Sequence, residues 1–207
     1  MIRSLFMFGA FCAAVLFSAG AGASATIIEQ WSSVSAPTAP PLKDVTLDAG
    51  TTALLVLDWV KPLCTKPTCL SAVPTVAKLV QAARAKQVLI VYSLGGPANK
   101  EDILPQVAPI ADEPVVRSGP DKYVDTNLDQ ILKGRGIKTV IVTGFAAEGA
   151  AMYTASHSAF IGLKVIVPLD AIASDSTYAM QYVAWNLANA PRVGANTTLT
   201  TADKLSY

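Results

Sequence analysis

The chain has 207 residues, with 16 lysines and arginines, 15 aspartates and glutamates, and a single histidine. No basic stripe appears, so a nucleic-acid-binding protein is not expected. One histidine also excludes a metal site built from several histidine ligands, and we expect no cofactor.

The first 25 residues have the pattern of a secretory signal peptide. Arg3 supplies a positive charge, the stretch 5–17 is apolar, and Ala23-Ser24-Ala25 provides the small residues of a cleavage site. The apolar run is short for a bilayer span, and an uncleaved anchor is the alternative. We therefore expect a mature chain that begins at Thr26, is secreted or periplasmic, and has no membrane contact after cleavage.

Residues 26–46 are expected to form an extended, Pro-rich arm that leads into a domain over residues 47–207. Within that domain, strand-like apolar runs alternate with helical patterns. Strands are predicted at 52–57, 88–92, 114–116, 139–143 and 164–168, and helices at 73–86, 102–107, 126–134, 148–161 and 177–190. The alternation predicts an α/β fold with a doubly wound, mainly parallel sheet and helices on both faces.

Ligands of such sheets bind beyond the carboxyl ends of the strands. The first candidate there is Asp58, which directly follows the apolar run Leu-Leu-Val-Leu. The strand and Trp59 would partly remove its carboxylate from water, which suits it to proton transfer. A structural aspartate in a loop or at a helix cap is the alternative.

A second candidate is the loop 117–123, which contains Arg117, Lys122 and Tyr123. Tyr123, like Trp59, is expected to contact the substrate. Its Gly-Pro pair indicates a turn. A cation beside Asp58 would orient a substrate carboxylate or stabilise developing negative charge. Surface charges on a loop are the alternative.

The third candidate is the turn 144–150, where small residues would let a ligand approach the backbone closely. The amides of Gly149 and Ala150, at the start of the next helix, could hold an anion or an oxyanion. Glu148 is interpreted either as a polar site residue or as a first-turn helix charge. His157 falls inside the predicted helix, so a Ser-His-Asp triad is not expected.

Two cysteines outside the predicted signal peptide, Cys64 and Cys69, are separated by four residues. In an oxidising compartment they are expected to pair as a small-loop disulfide. The alternatives are a metal site, for which the segment offers too few ligands, and a reactive thiol.

Several segments together resemble the isochorismatase-like (cysteine hydrolase) superfamily. They are Leu-Leu-Val-Leu-Asp58, residues 115–128, Ile-Val-Thr-Gly144 with Tyr-Thr-Ala155, and Val-Ile-Val-Pro-Leu-Asp170. The resemblance covers about residues 51–173. The cysteine loop, residues 118–122 and the tail 181–191 resemble a secreted subgroup.

The resemblance implies a catalytic aspartate, lysine and cysteine. Asp58 matches the aspartate. The lysine's place, counted back from Thr126, falls on Arg117, and Lys122 is the substitute if the loop follows another path. The cysteine's place falls on Ala150, which would remove thiolate attack. Isochorismatases also lack that cysteine, and they cleave a vinyl ether with the aspartate and water.

The sequence therefore predicts a hydrolase that acts through Asp58, without a covalent intermediate, on a small molecule expected to be anionic. The alternative is a catalytically degenerate member that binds a small molecule or a protein partner. A weaker idea makes Cys64 a relocated nucleophile, which a disulfide would exclude. Self-association into a homo-oligomer is left open.

Overall fold

The computed structural model describes residues 24–207, which fall into two units divided after Ala36. Most of the predicted signal peptide therefore lies outside the described residues. In the first unit, helix α1 covers Ile27–Gln30. The side-chain hydroxyl of Thr26 accepts from the amide of Glu29, whose carboxylate accepts from the amide of Thr26 at 2.6 Å. This capping box is why the start of the expected extended arm is helical.

The second unit, residues 37–207, contains nine strands and the remaining five helices of the described chain. The strands are β1 Val45–Thr46, β2 Thr52–Leu57, β3 Leu89–Leu94, β4 Val115–Arg117, β5 Thr139–Phe145, β6 Lys164–Pro168, β7 Ile172–Ala173, β8 Thr197–Thr200 and β9 Leu205–Ser206. The helices are α2 Pro67–Leu70, α3 Val73–Ala85, α4 Leu128–Gly134, α5 Met152–Phe160 and α6 Thr177–Asn189. Across residues 24–207, no helix is long and apolar enough to cross a membrane.

The main sheet has the strand order β4-β3-β2-β5-β6-β8, and the short strand β7 pairs with β5. Every pairing in it is parallel. From β2 the chain builds β3 and β4 on one side, then returns to add β5, β6 and β8 on the other. This doubly wound order confirms the predicted fold class. Strands β1 and β9 form a separate parallel pair.

Both faces of the main sheet are covered, and β2 shows how the sequence encodes this. All six of its residues are buried. Leu54 and Val56 pack in the core that includes residues of α3, whereas Leu55 and Leu57 pack in the core that includes residues of α4, α5 and α6. Because successive side chains of a strand point to opposite faces, a central parallel strand is apolar throughout.

The strand register places the candidate site. Leu57 at the end of β2 lies opposite Ser93 of β3 and Gly144 of β5. Leu94 of β3 lies opposite Arg117 of β4. The carboxyl ends of these four strands therefore meet at one edge, around the point where the strand order reverses.

Besides helix α1 in the expected arm, several local features differ from the predictions. The predicted helix 102–107 is two 3₁₀ turns, because Pro105 has no amide hydrogen to continue a helix. The capping box expected at 126–129 is absent, since the Thr126 hydroxyl donates to the carbonyl of Lys122 at 2.6 Å. A π-helical turn over Ala147–Ala151 precedes α5. Strands β1, β7, β8 and β9 were not predicted, because each has only two to four residues and none forms a long apolar run.

Candidate active site

The centre of the candidate site is an ion pair between Asp58 and Lys122. Asp58 directly follows β2 and has a φ of 55°, in the left-handed region. Its Oδ2 lies 2.6 Å from Lys122 Nζ, and its Oδ1 accepts from Ser93 Oγ at 2.5 Å. The Lys122 side chain is completely buried and that of Asp58 is 8% exposed. A buried charge pair of this kind is stable only when its remaining polar positions are satisfied.

The remaining hydrogen-bonding positions of the Lys122 ammonium group are satisfied within the loop that carries it. Besides Asp58, its ammonium group donates to the carbonyl oxygens of Gly119 at 2.7 Å and Ser118 at 3.4 Å. These three acceptors match the three protons of the ammonium group. The backbone amide of Lys122 donates to Thr154 Oγ1 on α5 at 3.2 Å, which ties the loop to that helix. The cation is therefore held in one position, directed at Asp58.

Asp58 also borders a cavity of about 280 Å³ at the carboxyl edge of the sheet. The lining comes from the segments that follow β2 and β3, from the loop 117–123 that carries Lys122 (the lysine loop), and from the end of β5 with the turn after it. Its lining residues are Asp58, Leu63, Gly95, Gly96, Ser118, Gly119, Pro120, Phe145, Ala146, Gly149 and Ala150. The predicted residues Asp58, Gly149 and Ala150 thus share one cavity, and Lys122 lies directly behind Asp58.

Sequence reasoning missed the contribution of β3. Ser93 hydrogen-bonds Asp58, and a Cβ atom added at Gly95 would overlap the Asp58 carboxyl group, approaching its Cγ to 2.7 Å. Only glycine leaves room for the carboxylate at this point. The signal was present in the sequence, because Ser-Leu-Gly-Gly follows a predicted strand at the edge where ligands bind.

Trp59 does not line the cavity, in contrast to the prediction. It is 1% exposed and lies in the core that includes residues of α3. Its indole Nε1 donates to Thr143 Oγ1 at 3.3 Å, and that hydroxyl donates to the carbonyl of Leu55 at 2.9 Å. Trp59 points away because the chain turns sharply at Asp58, at a positive φ.

Tyr123 was also predicted to contact substrate, and it is instead buried against α5. Its ring stacks on His157 with centroids 4.3 Å apart, and its hydroxyl lies 2.8 Å from Ser158 Oγ. Burial raises the pKa of Tyr123 to about 12. His157 Nδ1 lies 2.8 Å from Asp121 Oδ2. These contacts hold the lysine loop against α5. Tyr123 therefore stabilises the position of the loop without lining the cavity.

Glu148 is likewise outside the cavity lining. Its Oε1 accepts from Ser174 Oγ at 3.0 Å. Its Oε2 is buried and has no hydrogen-bond partner among the residues that the structure describes. The side chain is directed toward the segment after β7, so the geometry gives it no contact with Asp58.

Arg117 does not reach Asp58, and the count back from Thr126 therefore gave the wrong position for the cation. Strand β4, which ends at Arg117, is separated from β2 by β3. The guanidinium group donates to the carbonyl oxygens of Gly96, at 3.1 Å, and Ala98. It is Lys122, five residues later in the folded-back loop, that lies beside Asp58.

Cys64 and Cys69 form a disulfide with Cα atoms 5.4 Å apart, which confirms the predicted pairing. Inside the loop, Lys66 forms an ion pair with Asp175 at 2.8 Å. Because the sulfur atoms are bonded to each other, Cys64 is not available as a nucleophile. In the described part of the chain, no group of three or more His, Cys, Asp or Glu side chains is placed to hold a metal ion.

Residues 52–203 match the sequence profile of the isochorismatase domain. Among characterised proteins, the secreted isochorismatase effector Isc1 of Verticillium dahliae is 30% identical over 110 residues. That match covers 48% of this chain and 58% of the effector. The chain thus matches little more than half the length of that relative.

Solved structures show the same fold. A cysteine hydrolase from Pseudomonas syringae pv. phaseolicola 1448A superposes with a TM-score of 0.67 and 22% identity, over 80% of this chain and 95% of that one. N-carbamoylsarcosine amidase from Thermoplasma acidophilum gives a TM-score of 0.65 and 21% identity, over 74% and 97% of the two chains. At these identities the likeness describes the fold alone.

Proposed function

Because this chain belongs to the isochorismatase family, we propose that it is a hydrolase that acts through Asp58 on a small molecule without a covalent intermediate. The observation that carries the proposal is the buried Asp58–Lys122 pair, 2.6 Å apart, at the wall of a small cavity. A carboxylate held in this way has one face toward the ligand and a fixed cation behind it. Such an arrangement suits a group that gives or takes a proton.

Among residues 24–207, no thiol lines the cavity, which supports a non-covalent route. The sequence has three cysteines. Cys64 and Cys69 are bonded to each other, and Cys12 falls in the predicted signal peptide, outside the described residues. At the place where the family resemblance puts a cysteine, Ala150 presents only a methyl group. The one serine of the lining, Ser118, donates its hydroxyl to the carbonyl oxygens of Asp121 and Val124, at 2.8 and 2.6 Å. We therefore assign the attack to water.

We assign the remaining roles as follows. Asp58 transfers the proton, Lys122 and Ser93 hold its carboxylate in position, and the backbone amide of Ala150 stabilises negative charge that develops on the substrate. Arg117 has no role in this proposal, because its guanidinium is bonded to two carbonyl oxygens away from Asp58. The expected anionic ligand depended on a free cation at the site, and Arg117 and Lys122 are both engaged. We therefore do not propose an anionic substrate.

The first experiment compares Asp58→Asn with the wild-type mature protein on a panel of small ethers, esters and amides. Asparagine keeps the shape of the side chain but cannot transfer the proton, so turnover should fall by about 10² or more. Asp129→Asn is the matched control, because Asp129 is a surface residue paired with Lys133 at 2.6 Å. Unchanged turnover in Asp58→Asn would remove Asp58 from the mechanism.

The second experiment tests for a covalent intermediate. Quenched reactions of the wild-type protein should show no added mass on the intact chain. Ala150→Cys, which places a thiol at the cavity wall, is the comparison for detecting an acyl adduct. A substrate-derived mass on the wild-type chain during turnover would contradict the non-covalent route.

A second candidate function is binding without catalysis, favoured by the methyl group of Ala150 where the resemblance places the nucleophile. Thermal-shift screening of small molecules separates the two functions. A ligand that raises Tm and is recovered unchanged after long incubation supports binding. A ligand that raises Tm and is consumed supports the hydrolase.

We also propose that the chain is exported. The predicted signal peptide, the Cys64–Cys69 disulfide and the similarity to a secreted effector of Verticillium dahliae support this. Expression of the full chain followed by N-terminal sequencing of the exported fraction should give a mature start at Thr26. Retention of residues 1–25 in a membrane fraction would indicate an uncleaved anchor instead.

A further inference from the structure

We propose that the cavity beside Asp58 takes an uncharged small molecule and discriminates against carboxylates. The inference deepens the proposed function by naming a substrate class, and it rests on that function for the identity of the site. Its test measures binding rather than turnover, so the inferred substrate class and the proposed hydrolase function can fail separately.

The first step concerns the charges. No lysine, arginine or histidine within residues 24–207 is among those that line the cavity, whereas the carboxylate of Asp58 is. The cation behind it, Lys122, is fully buried and already donates to Asp58 and to the carbonyls of Gly119 and Ser118. Arg117 is turned to the carbonyls of Gly96 and Ala98. A ligand carboxylate would therefore meet one negative charge and no free positive charge.

The second step concerns the walls. Apolar side chains form much of the lining, namely Leu63, Pro120, Phe145, Ala146 and Ala150. In such surroundings an anion loses hydration, and the loss is recovered only if hydrogen-bond donors or cations replace the water. A neutral ligand loses much less hydration free energy when it enters the cavity.

The third step concerns the donors in the turn after β5. The amides of Gly149 and Ala151 both donate to the carbonyl of Ala146, at 3.0 and 3.4 Å. The Met152 amide donates to the carbonyls of Ala147 and Gly149. These three amides are thus used within the turn itself. Of the lining residues in the turn, Gly149 therefore has its amide occupied. The turn can assist a transient oxygen charge through the Ala150 amide, but one amide is a poor substitute for the full hydration of a standing carboxylate.

The fourth step concerns size. Leu63 forms one wall, with its Cδ1 3.2 Å from the position that a Cβ atom on Gly95 would take. Leu63 precedes the disulfide at Cys64, which fixes the local backbone. A cavity of about 280 Å³ with this wall fits a compact ring or short chain. The chemistry that matches is a small neutral amide, ester or ether.

The experiment uses matched pairs that differ only in charge, benzamide with benzoate and cyclohexanecarboxamide with cyclohexanecarboxylate. Binding to the mature protein is measured at pH 7 by thermal shift and calorimetry, where both acids are ionised. We expect the amides to raise Tm, with Kd values at least about tenfold lower than those of the carboxylates. Leu63→Lys, which introduces a cation at the wall, should reduce or reverse that preference.

Leu70→Lys is the control for Leu63→Lys. Leu70 is 46% exposed and is not among the cavity-lining residues, so a lysine there should leave the wild-type preference intact. The proposal is wrong if a carboxylate binds the wild-type protein as tightly as its amide. It is also wrong if neither amide shifts Tm at millimolar concentration, or if Leu63→Lys, shown to be folded by circular dichroism, keeps the wild-type ratio.

Discussion

Lys122 and Asp58 are 64 positions apart in sequence, yet Lys122 Nζ lies 2.6 Å from Asp58 Oδ2 inside the protein. The pair joins the end of the central strand β2 to the loop that follows the edge strand β4. The carboxylate of Asp58 can occupy this position because Gly95, directly after β3, has no side chain that would overlap it. One ion pair therefore sets both the charge of the site and the path of the loop that covers it.

Removal of the cation should destabilise the fold strongly. In Lys122→Met the Asp58 carboxylate stays buried without its partner, which typically costs about 3–5 kcal/mol. Lys133→Met removes a surface pair whose side chains are 75% and 41% exposed, and it should cost less than about 1 kcal/mol. Urea unfolding of the two variants measures the difference. Equal losses would mean that burial of the Asp58–Lys122 pair is unimportant for stability.

A side chain at Gly95 should displace Asp58. The added methyl of Gly95→Ala overlaps the carboxyl group, so we expect a stability loss of about 1–3 kcal/mol and loss of ligand binding. Gly134→Ala is the control, because a Cβ there meets nothing within 4 Å and Gly134 ends a helix. Chemical unfolding and calorimetry check both effects. Normal ligand affinity in Gly95→Ala would show that the carboxylate position is not critical.

The disulfide should stabilise the protein modestly. Closure of a short loop contributes about 2 kcal/mol in the chain-entropy description. We expect Cys64→Ala/Cys69→Ala to lower the unfolding free energy by about that amount and to become insensitive to a reducing agent. The intact mass of the unreduced wild-type protein checks the bond directly. Two free thiols in that measurement would contradict the pairing.

Burial of Tyr123 should make the folded protein less stable at alkaline pH. The pKa of Tyr123 is raised to about 12 in the folded state, whereas in the unfolded chain a tyrosine titrates near about 10. Unfolding therefore releases a proton between these values, and stability falls as pH rises through them. Below about pH 10 this contribution is fully present.

Tyr123→Phe tests this dependence. The variant should lose about 1 kcal/mol near neutral pH, because the contact with Ser158 Oγ is removed. Its further loss from pH 9 to pH 11.5 should be smaller than that of the wild type. Tyr178→Phe is the control, because that ring is 71% exposed. Identical alkaline slopes for all three proteins would rule out a contribution from Tyr123.

The sequence was sufficient for the order of most elements, because strands and helices are encoded by patterns among near neighbours. The run 52–57 predicted β2 with its observed bounds, and the spacing of Cys64 and Cys69 predicted their bond. Asp58 was placed at the correct edge because it follows a buried strand. Each of these inferences needed only a short stretch of chain.

Which side chains meet at that edge was decided by the tertiary structure. Arg117 and Lys122 are both near Thr126 in sequence, but the strand order β4-β3-β2 and the fold-back of the loop bring only Lys122 to Asp58. Trp59, adjacent to Asp58, lies in the core that includes residues of α3, because the backbone leaves the strand conformation at Asp58, where φ is positive. Contacts of this kind depend on loop paths and on register across the sheet, which local periodicity does not encode.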